Sequence, residues 1–250
     1  MQDGKTVTTG LVLRVTETKE ADKILTVLTP DRGKIPLIAR GARRKNSRIA
    51  AASQLLAYSE LTLYRRGSWF LLDEASTVEL FDGVRRDIVL LALASYFAEL
   101  TEAVCPEETA APELLSLLLN ALYALCYLDR EARLVKAAFQ LRLLALAGFE
   151  PLASSCAVCG RPEPEAPMLD VVHGVVHCGG CKRQGGLSMP LTAAGLAALR
   201  HILYCDSKKL YSFTLEETAL RELDHAGEAF AASQLERSFR TLDYYKSLLG

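Results

Sequence analysis

A chain of 250 residues, half of them hydrophobic, can bury a sizeable core and has the length for two. Its formal net charge of −1 excludes general basicity, so any affinity for a polyanion has to come from a local cluster. Residues 1–82 hold thirteen Lys and Arg against ten Asp and Glu, a net of +3, and the remainder holds sixteen against twenty, a net of −4.

The opening MQDGKTVTTGLVLRV lacks the basic start, apolar stretch and small-residue cleavage site of a signal peptide. The most apolar run, LLSLLLNALYALCYL from Leu114 to Leu128, falls short of the roughly 20 residues a membrane span needs and suits a buried helix. Seven cysteines, an odd number, without an export signal point to a reducing compartment. The expectation is a soluble cytoplasmic protein with no membrane attachment.

The first eighty residues have the period of strands. In VTTGLVLRV, Val7, Leu11, Leu13 and Val15 share one face, with Thr8, Gly10 and Arg14 on the other. KILTVLT and GKIPLIAR follow, joined by the turn Pro30 to Gly33. LLAYSELTLYRR and SWFLLDEASTVEL alternate again around Arg66-Gly67-Ser68. Five short antiparallel strands fit a small closed β-barrel, an OB-fold or, nearly as well, an SH3-like barrel.

From Asp82 the period becomes helical. DGVRRDIVLLALASYFAELTEAV repeats apolar residues every three to four positions; APELLSLLLNALYALCYL opens with Pro112 and Glu113, a favourable first turn. REARLVKAAFQLRLLALAG closes on Gly148, suited to the left-handed position after a helix. Helical spacing resumes at LTAAGLAALRHILYC, with Thr192 as N-cap, and again from Thr214 almost to the C-terminus. The expected architecture is α+β: a barrel over residues 1–81, then a helical domain over 82–250 interrupted by a Cys-, Gly- and Pro-rich loop at 152–188.

That loop contains two CxxC pairs, Cys156 with Cys159 and Cys178 with Cys181, eighteen residues apart. The two-residue spacing lets a tight turn aim both sulfurs at one ion, and two such pairs at this separation match a tetrahedral structural zinc site holding one Zn2+. MLDVVHGVVH between them reads as a hairpin turning at Gly174. A redox dithiol would need a thioredoxin-like βαβ setting, and a catalytic zinc an open position with a His-x-Glu beside it; neither is present. His173 and His177 read as loop residues, and Cys105, Cys126 and Cys205 as core.

The other concentrated chemistry is ARGARRKNSR, Ala39 to Arg48, between the third and fourth strands. Arg40, Arg43, Arg44, Lys45 and Arg48 place five positive charges in ten residues without an acid. Lys34, Arg65 and Arg66 extend the set if the barrel brings them near. A solvated loop would carry mixed charge, so a single-sign cluster points to a polyanion: DNA phosphates first, an acidic protein second. With Tyr58, Tyr64, Trp69 and Phe70 as the barrel's few aromatics, the contacts should be chiefly to phosphate, insensitive to sequence and sensitive to salt. No Walker loop, dinucleotide fingerprint, nucleophile elbow or nuclease carboxylate cluster is present, which argues against an enzyme.

LIARGARRKNSR in the barrel, ELFDGVRRDIVLLALASYFAEL opening the helical part and FQLRLLALAGFEPLASSCAVCG running into the first cysteine pair together resemble the bacterial recombination mediator family RecO, across essentially the whole chain. The resemblance implies an OB-fold and a helical zinc-bearing domain. It also implies binding of single- and double-stranded DNA, strand annealing, and work with RecR and, in many bacteria, RecF. The shared task is to bring RecA onto DNA coated by single-stranded DNA-binding protein, SSB, in gap repair near the nucleoid. The other reading of the residues themselves is a zinc-stabilised adaptor between proteins, its basic loop serving an acidic partner.

Overall fold

The strand-period segments form five strands: β1 (Thr6–Thr18), β2 (Asp22–Thr29), β3 (Gly33–Ala39), β4 (Tyr58–Arg66) and β5 (Trp69–Glu79). They belong to a computed structural model that describes residues 4–67, 69–181 and 185–250. Ser68 of the expected β4–β5 turn, and 182–184 in the expected zinc loop, lie outside the described residues. The strands close a barrel in the order β1-β2-β3-β5-β4, antiparallel throughout except for the parallel pair β3–β5. This five-stranded Greek-key closure is OB-like.

Closure depends on the length of β1, which pairs with β4 through Thr6–Leu11 and with β2 through Leu11–Thr18. Its register shifts between Val12 and Arg14, and there the simple alternation fails. Val7 faces solvent, whereas Gly10 to Leu13 are buried in succession. A bulge re-aims successive side chains, and this strand is covered on both sides. Val12 joins Leu25, Val27, Ile35, Leu37, Leu61, Leu63, Phe70 and Leu72 inside the barrel. Leu11 and Leu28 face one another across β1–β2 and are fully buried outside that cluster, and a helix packs on β1. Each such side chain contributes about 1.5–3 kcal/mol by leaving water.

The helices are α1 (Asp82–Arg85), α2 (Ile88–Val104), α3 (Pro112–Tyr127), α4 (Ala132–Leu146), α5 (Ala193–Tyr204), α6 (Glu217–Gln234) and α7 (Arg240–Ser247). The stretch read as one helix from Asp82 is broken at Asp87, whose carboxylate caps α2 by accepting from the N–H groups of Val89 and Leu90. Thr192 caps α5 through the Gly195 N–H, and Gly148 follows α4 with φ +93°. Between α4 and α5 lies a small sheet of β6 (Pro167–Asp170), β7 (Val175–Cys178) and β8 (Ser188–Pro190), ordered β7-β6-β8. Gly174, at φ +64°, ends the β6–β7 turn.

The chain divides into two compact units. The first comprises residues 1–126 and 240–250, so the change of period at Asp82 falls inside it: α2 packs on β1, and α7 packs on α2, where Glu99 accepts from the Thr241 N–H at 3.1 Å. Within this unit the segment after α2 also closes on the barrel. Gly33 has φ +57°, and a Cβ there would lie 2.3 Å from the Thr109 carbonyl oxygen and 2.6 Å from that of Pro106. Only glycine allows that approach. The Lys34 N–H donates to Pro106 and the Ala111 N–H to Pro30. The second unit, residues 127–239, holds α4 to α6 and the small sheet. Among the described residues no helix is long and apolar enough to cross a membrane.

Candidate nucleic-acid interface and metal centre

The connection from β3 to β4 is a run of turns anchored from beneath by apolar residues. Ala42 and Ile49 are 3 % and 8 % exposed and belong to the barrel's interior cluster. Arg40, Arg43, Arg44, Lys45 and Arg48 alternate around those two anchors, and all five are exposed. The backbone is fixed on the β1–β2 turn: the Gly41 N–H donates to Asp22 Oδ1 at 2.8 Å and the Arg43 N–H to the Ala21 carbonyl at 3.0 Å. Gly41 has φ +66°, with the Arg44 side chain against it. Arg43 forms an ion pair with Glu17 at 3.2 Å. Among the described residues no carboxylate lies within ion-pair distance of Arg40, Arg44, Lys45 or Arg48. The result is an anchored backbone with one exposed ion pair and four cations that have no carboxylate partner among the described residues, a surface suited to a polyanion.

Lys34, Arg65 and Arg66 lie outside the β3–β4 connection itself. The ladder sets Lys23 opposite Ala39 at one end of the barrel and Leu37 beside Phe70. Lys34 is therefore six residues of strand from Arg40, about 20 Å, whereas Arg65, opposite Phe70, lies level with Leu37, three residues or about 10 Å along β3 from Arg40. Two of these three charges have carboxylate partners. Lys34 Nζ donates to the Glu102 carbonyl at 3.1 Å and lies 3.7 Å from Glu107. Arg65 pairs with Glu108 at 3.4 Å and lies over the Phe70 ring, as Arg32 does. Arg66 is exposed without such a partner among the described residues. Phe70 is buried in the barrel, and Trp69 beside it is 38 % exposed.

In the second unit the two CxxC turns meet. The sulfurs of Cys156, Cys159, Cys178 and Cys181 all lie within 4.8 Å of one another, with Cys159 and Cys178 at 3.9 Å. A regular tetrahedron with metal–sulfur bonds of about 2.3 Å has sulfurs about 3.8 Å apart, so the donor set fits a zinc site. Cys156 is buried, which opposes its ionisation, but N–H groups of Cys159, Cys178 and Val158 outweigh burial and lower the thiol to about 6. Neighbouring thiols then resist losing further protons. Contact with Cys159, ahead of burial, pushes Cys181 up to about 12, and burial followed by contacts with Cys156 and Cys159 raises Cys178. Four sulfurs at this spacing could hold one metal ion.

His177 is a β7 residue, buried, with its ring nitrogens on the Cys178 carbonyl and Ser188 Oγ, 2.8 Å each. His173 binds Asp170, whose buried carboxylate also accepts from the Val172 and His173 N–H groups and so caps the hairpin turn. Cys105 is buried, and Cys126 and Cys205 are partly so. Sequence reasoning passed over two arginines with structural reach. Arg85 donates to the carbonyls of Leu80 and Leu55, tying the start of the helical part to the end of the basic connection. Arg200 on α5 donates to backbone on both sides of the first cysteine pair. It also passed over Lys136, 2 % exposed in α4, which meets Asp224 at 3.0 Å and Glu228 of α6. Except for Leu80, their partners lie 30 or more residues away in sequence, so no local pattern marks them.

An OB-like barrel followed by helices and a four-thiol knuckle defines a class of small, modular proteins with one charged face and one metal-type centre. Two family descriptions cover nearly the whole chain, Recombination protein O N terminal over residues 1–81 and Recombination protein O C terminal over 85–243. Proteins named DNA repair protein RecO are similar across it. That of Acetivibrio thermocellus is 31 % identical over 241 residues, covering 96 % of both chains. That of Symbiobacterium thermophilum is 32 % identical over 246 residues, with 96 % of both covered. That of Anaeromyxobacter dehalogenans is 36 % identical over 248 residues, with 97 % of both covered. The chain belongs to the RecO family.

Proposed function

We propose that this protein is a non-enzymatic DNA-binding and strand-annealing mediator of recombinational repair. It acts on single- and double-stranded DNA in the bacterial cytoplasm, and works with RecR, and with RecF where present, to bring RecA onto SSB-coated strands. The observation that carries the reading is the fixed basic connection: Arg40, Arg43, Arg44, Lys45 and Arg48 are held outward by the buried Ala42 and Ile49, with one carboxylate partner among them. These five are the principal phosphate contacts. Arg66 is a further one at the end of β4, while Lys34 and Arg65 must give up contacts to Glu107 and Glu108 to join. Gripping phosphate while stacking little leaves base edges free to pair, as annealing requires. The four cysteines hold one structural Zn2+, which cross-links the two knuckles and neutralises their thiolates when bound.

The test is fluorescence anisotropy of labelled single-stranded DNA at several salt concentrations, with Arg43→Ala/Arg44→Ala/Lys45→Ala beside the natural chain. Three lost phosphate contacts should weaken binding across sequences and flatten the logarithmic salt slope by about 2 units. A triple variant that matches the natural chain in affinity and slope would place the DNA surface elsewhere. If neither chain binds DNA, the cluster serves an acidic protein instead.

A further inference from the structure

We propose that Arg200 is the positioning residue for the metal centre, holding the first cysteine pair in its ligating shape before any ion arrives. The inference rests on the zinc reading above. Arg200 projects from α5 and spends its whole guanidinium on the knuckle. Nε donates to the Ala153 carbonyl at 2.8 Å, and Nη2 to the carbonyls of Ser154 at 3.2 Å and Pro162 at 2.6 Å. Nη1 meets Glu163 Oε1 at 2.8 Å. Residues 153–154 enter the knuckle and 162–163 leave it, so one planar fork clamps both limbs of the loop that carries Cys156 and Cys159. Within the loop the Cys156 N–H closes on the Arg161 carbonyl at 2.8 Å and the Gly160 N–H on that of Cys156.

The two halves of the donor set are thus supported differently. Cys178 stands on the β6–β7 ladder opposite Pro167, and the next N–H, that of Gly179, donates to the Glu165 carbonyl. Cys156 and Cys159 belong to no strand; the Ala157 N–H between them donates to the Val176 carbonyl at 2.9 Å, Leu152 bridges to Val175, and α5 reaches the limbs of the loop through Arg200. Fixing a loop's ends removes closure entropy that ligand binding would otherwise have to overcome, and a rigid fork of five donors does this as a flexible ammonium cannot. Glu163 is mostly in water, so its ion pair adds little; the three carbonyl bonds make the clamp. Without them the first knuckle keeps only its backbone bonds to β7 and its limbs are free to move, so release is where the loss shows.

The experiment loads the full chain with zinc and follows release into an excess of chromogenic chelator. In parallel, cobalt(II)-loaded protein is recorded in the thiolate-to-metal charge-transfer region. Arg200→Ala should release zinc at least about tenfold faster, the scale of outer-shell contacts to metal ligands, while its cobalt spectrum still reports four thiolates. Arg200→Lys should remain nearer to alanine than to the natural chain, and it carries the test if the alanine variant fails to fold. Glu163→Gln should release at the natural rate. Release from the Arg200 variants at the natural rate, or equally fast release from Glu163→Gln, would overturn the clamp. A natural chain that takes up neither metal would overturn the zinc reading and the proposal with it.

Discussion

Residues 40–48 spread five cations over an exposed turn, whereas residues 156–181 bring four sulfurs within 4.8 Å of one another. In the first region the backbone is fixed by Ala42 and Ile49 in the barrel, and each cation faces water largely on its own account. In the second each donor depends on the others: the Cys156 sulfur accepts from the Cys159 and Cys178 N–H groups, at 3.5 and 3.4 Å. Independent charges should respond in increments and be screened by salt. A shared coordination site should fail as a whole and be nearly indifferent to salt. Sequence spacing exposes both regions, but only geometry separates additive chemistry from cooperative chemistry.

The harshest way to break the comparison is Cys156→Ser. A hydroxyl at the buried corner cannot supply a thiolate, so bound metal should fall from about one ion per chain toward none. Limited proteolysis should then reach sites within 127–239 at lower protease concentrations. Stoichiometric metal in this variant would show that the four sulfurs do not act as a set.

A second buried arrangement sharpens the same point without a metal. Lys136 faces two carboxylates, Asp224 and Glu228, so the trio has one positive charge against two negative. Burial, partly offset by Lys136, raises Asp224 to about 6, and its Oδ1 has no donor, which is where a proton can sit. A carboxyl whose folded value exceeds its unfolded one near 3.8 stabilises the fold at low pH, and that contribution is lost as pH rises through about 6. Denaturant unfolding should therefore show the natural chain losing stability relative to Asp224→Asn between pH 4.5 and pH 7.5, by on the order of 2 kcal/mol. The difference should change little with salt; a flat difference across that range would contradict the assignment.

Single substitutions in the basic connection should be milder and alike. Arg40→Ala, Arg44→Ala, Lys45→Ala and Arg48→Ala should each remove about 0.7 unit of salt slope on single-stranded DNA, with melting temperatures unchanged. One variant accounting for nearly the whole effect would make this region cooperative too. Smallest is the contrast within the β4–β5 turn. Arg66→Ala should lose a fraction of a slope unit, while Arg65→Ala, already paired with Glu108, should lose less. Equal losses would mean that DNA displaces the Glu108 contact at no cost.

The barrel and the knuckle were legible because their signals are local. Period-two alternation places β2 to β5 within a few residues, Gly174 marks its turn, and CxxC spacing names all four sulfurs. What escaped was set by register and by long-range packing. The bulge at Val12–Arg14 turned Val7 outward. The fold put Lys34 at the far end of β3 from Arg40, and set Lys34 and Arg65 beside glutamates that follow α2. Lys136 and Arg200 sit on helices whose patterns read as ordinary, and their partners lie 37 to 92 residues away along the chain.

The first unit is interrupted in sequence: α7, near the end of the chain, packs on α2, and residues 127–239 come between. During synthesis the whole segment that carries the four clustered cysteines leaves the ribosome before α2 can meet its last neighbour. At roughly 5–20 residues per second, the 113 residues between Cys126 and Arg240 delay that meeting by about 6 to 20 seconds. The face of α2 that α7 covers is open to chaperones throughout that interval. The part of the chain made first is therefore among the last to be finished.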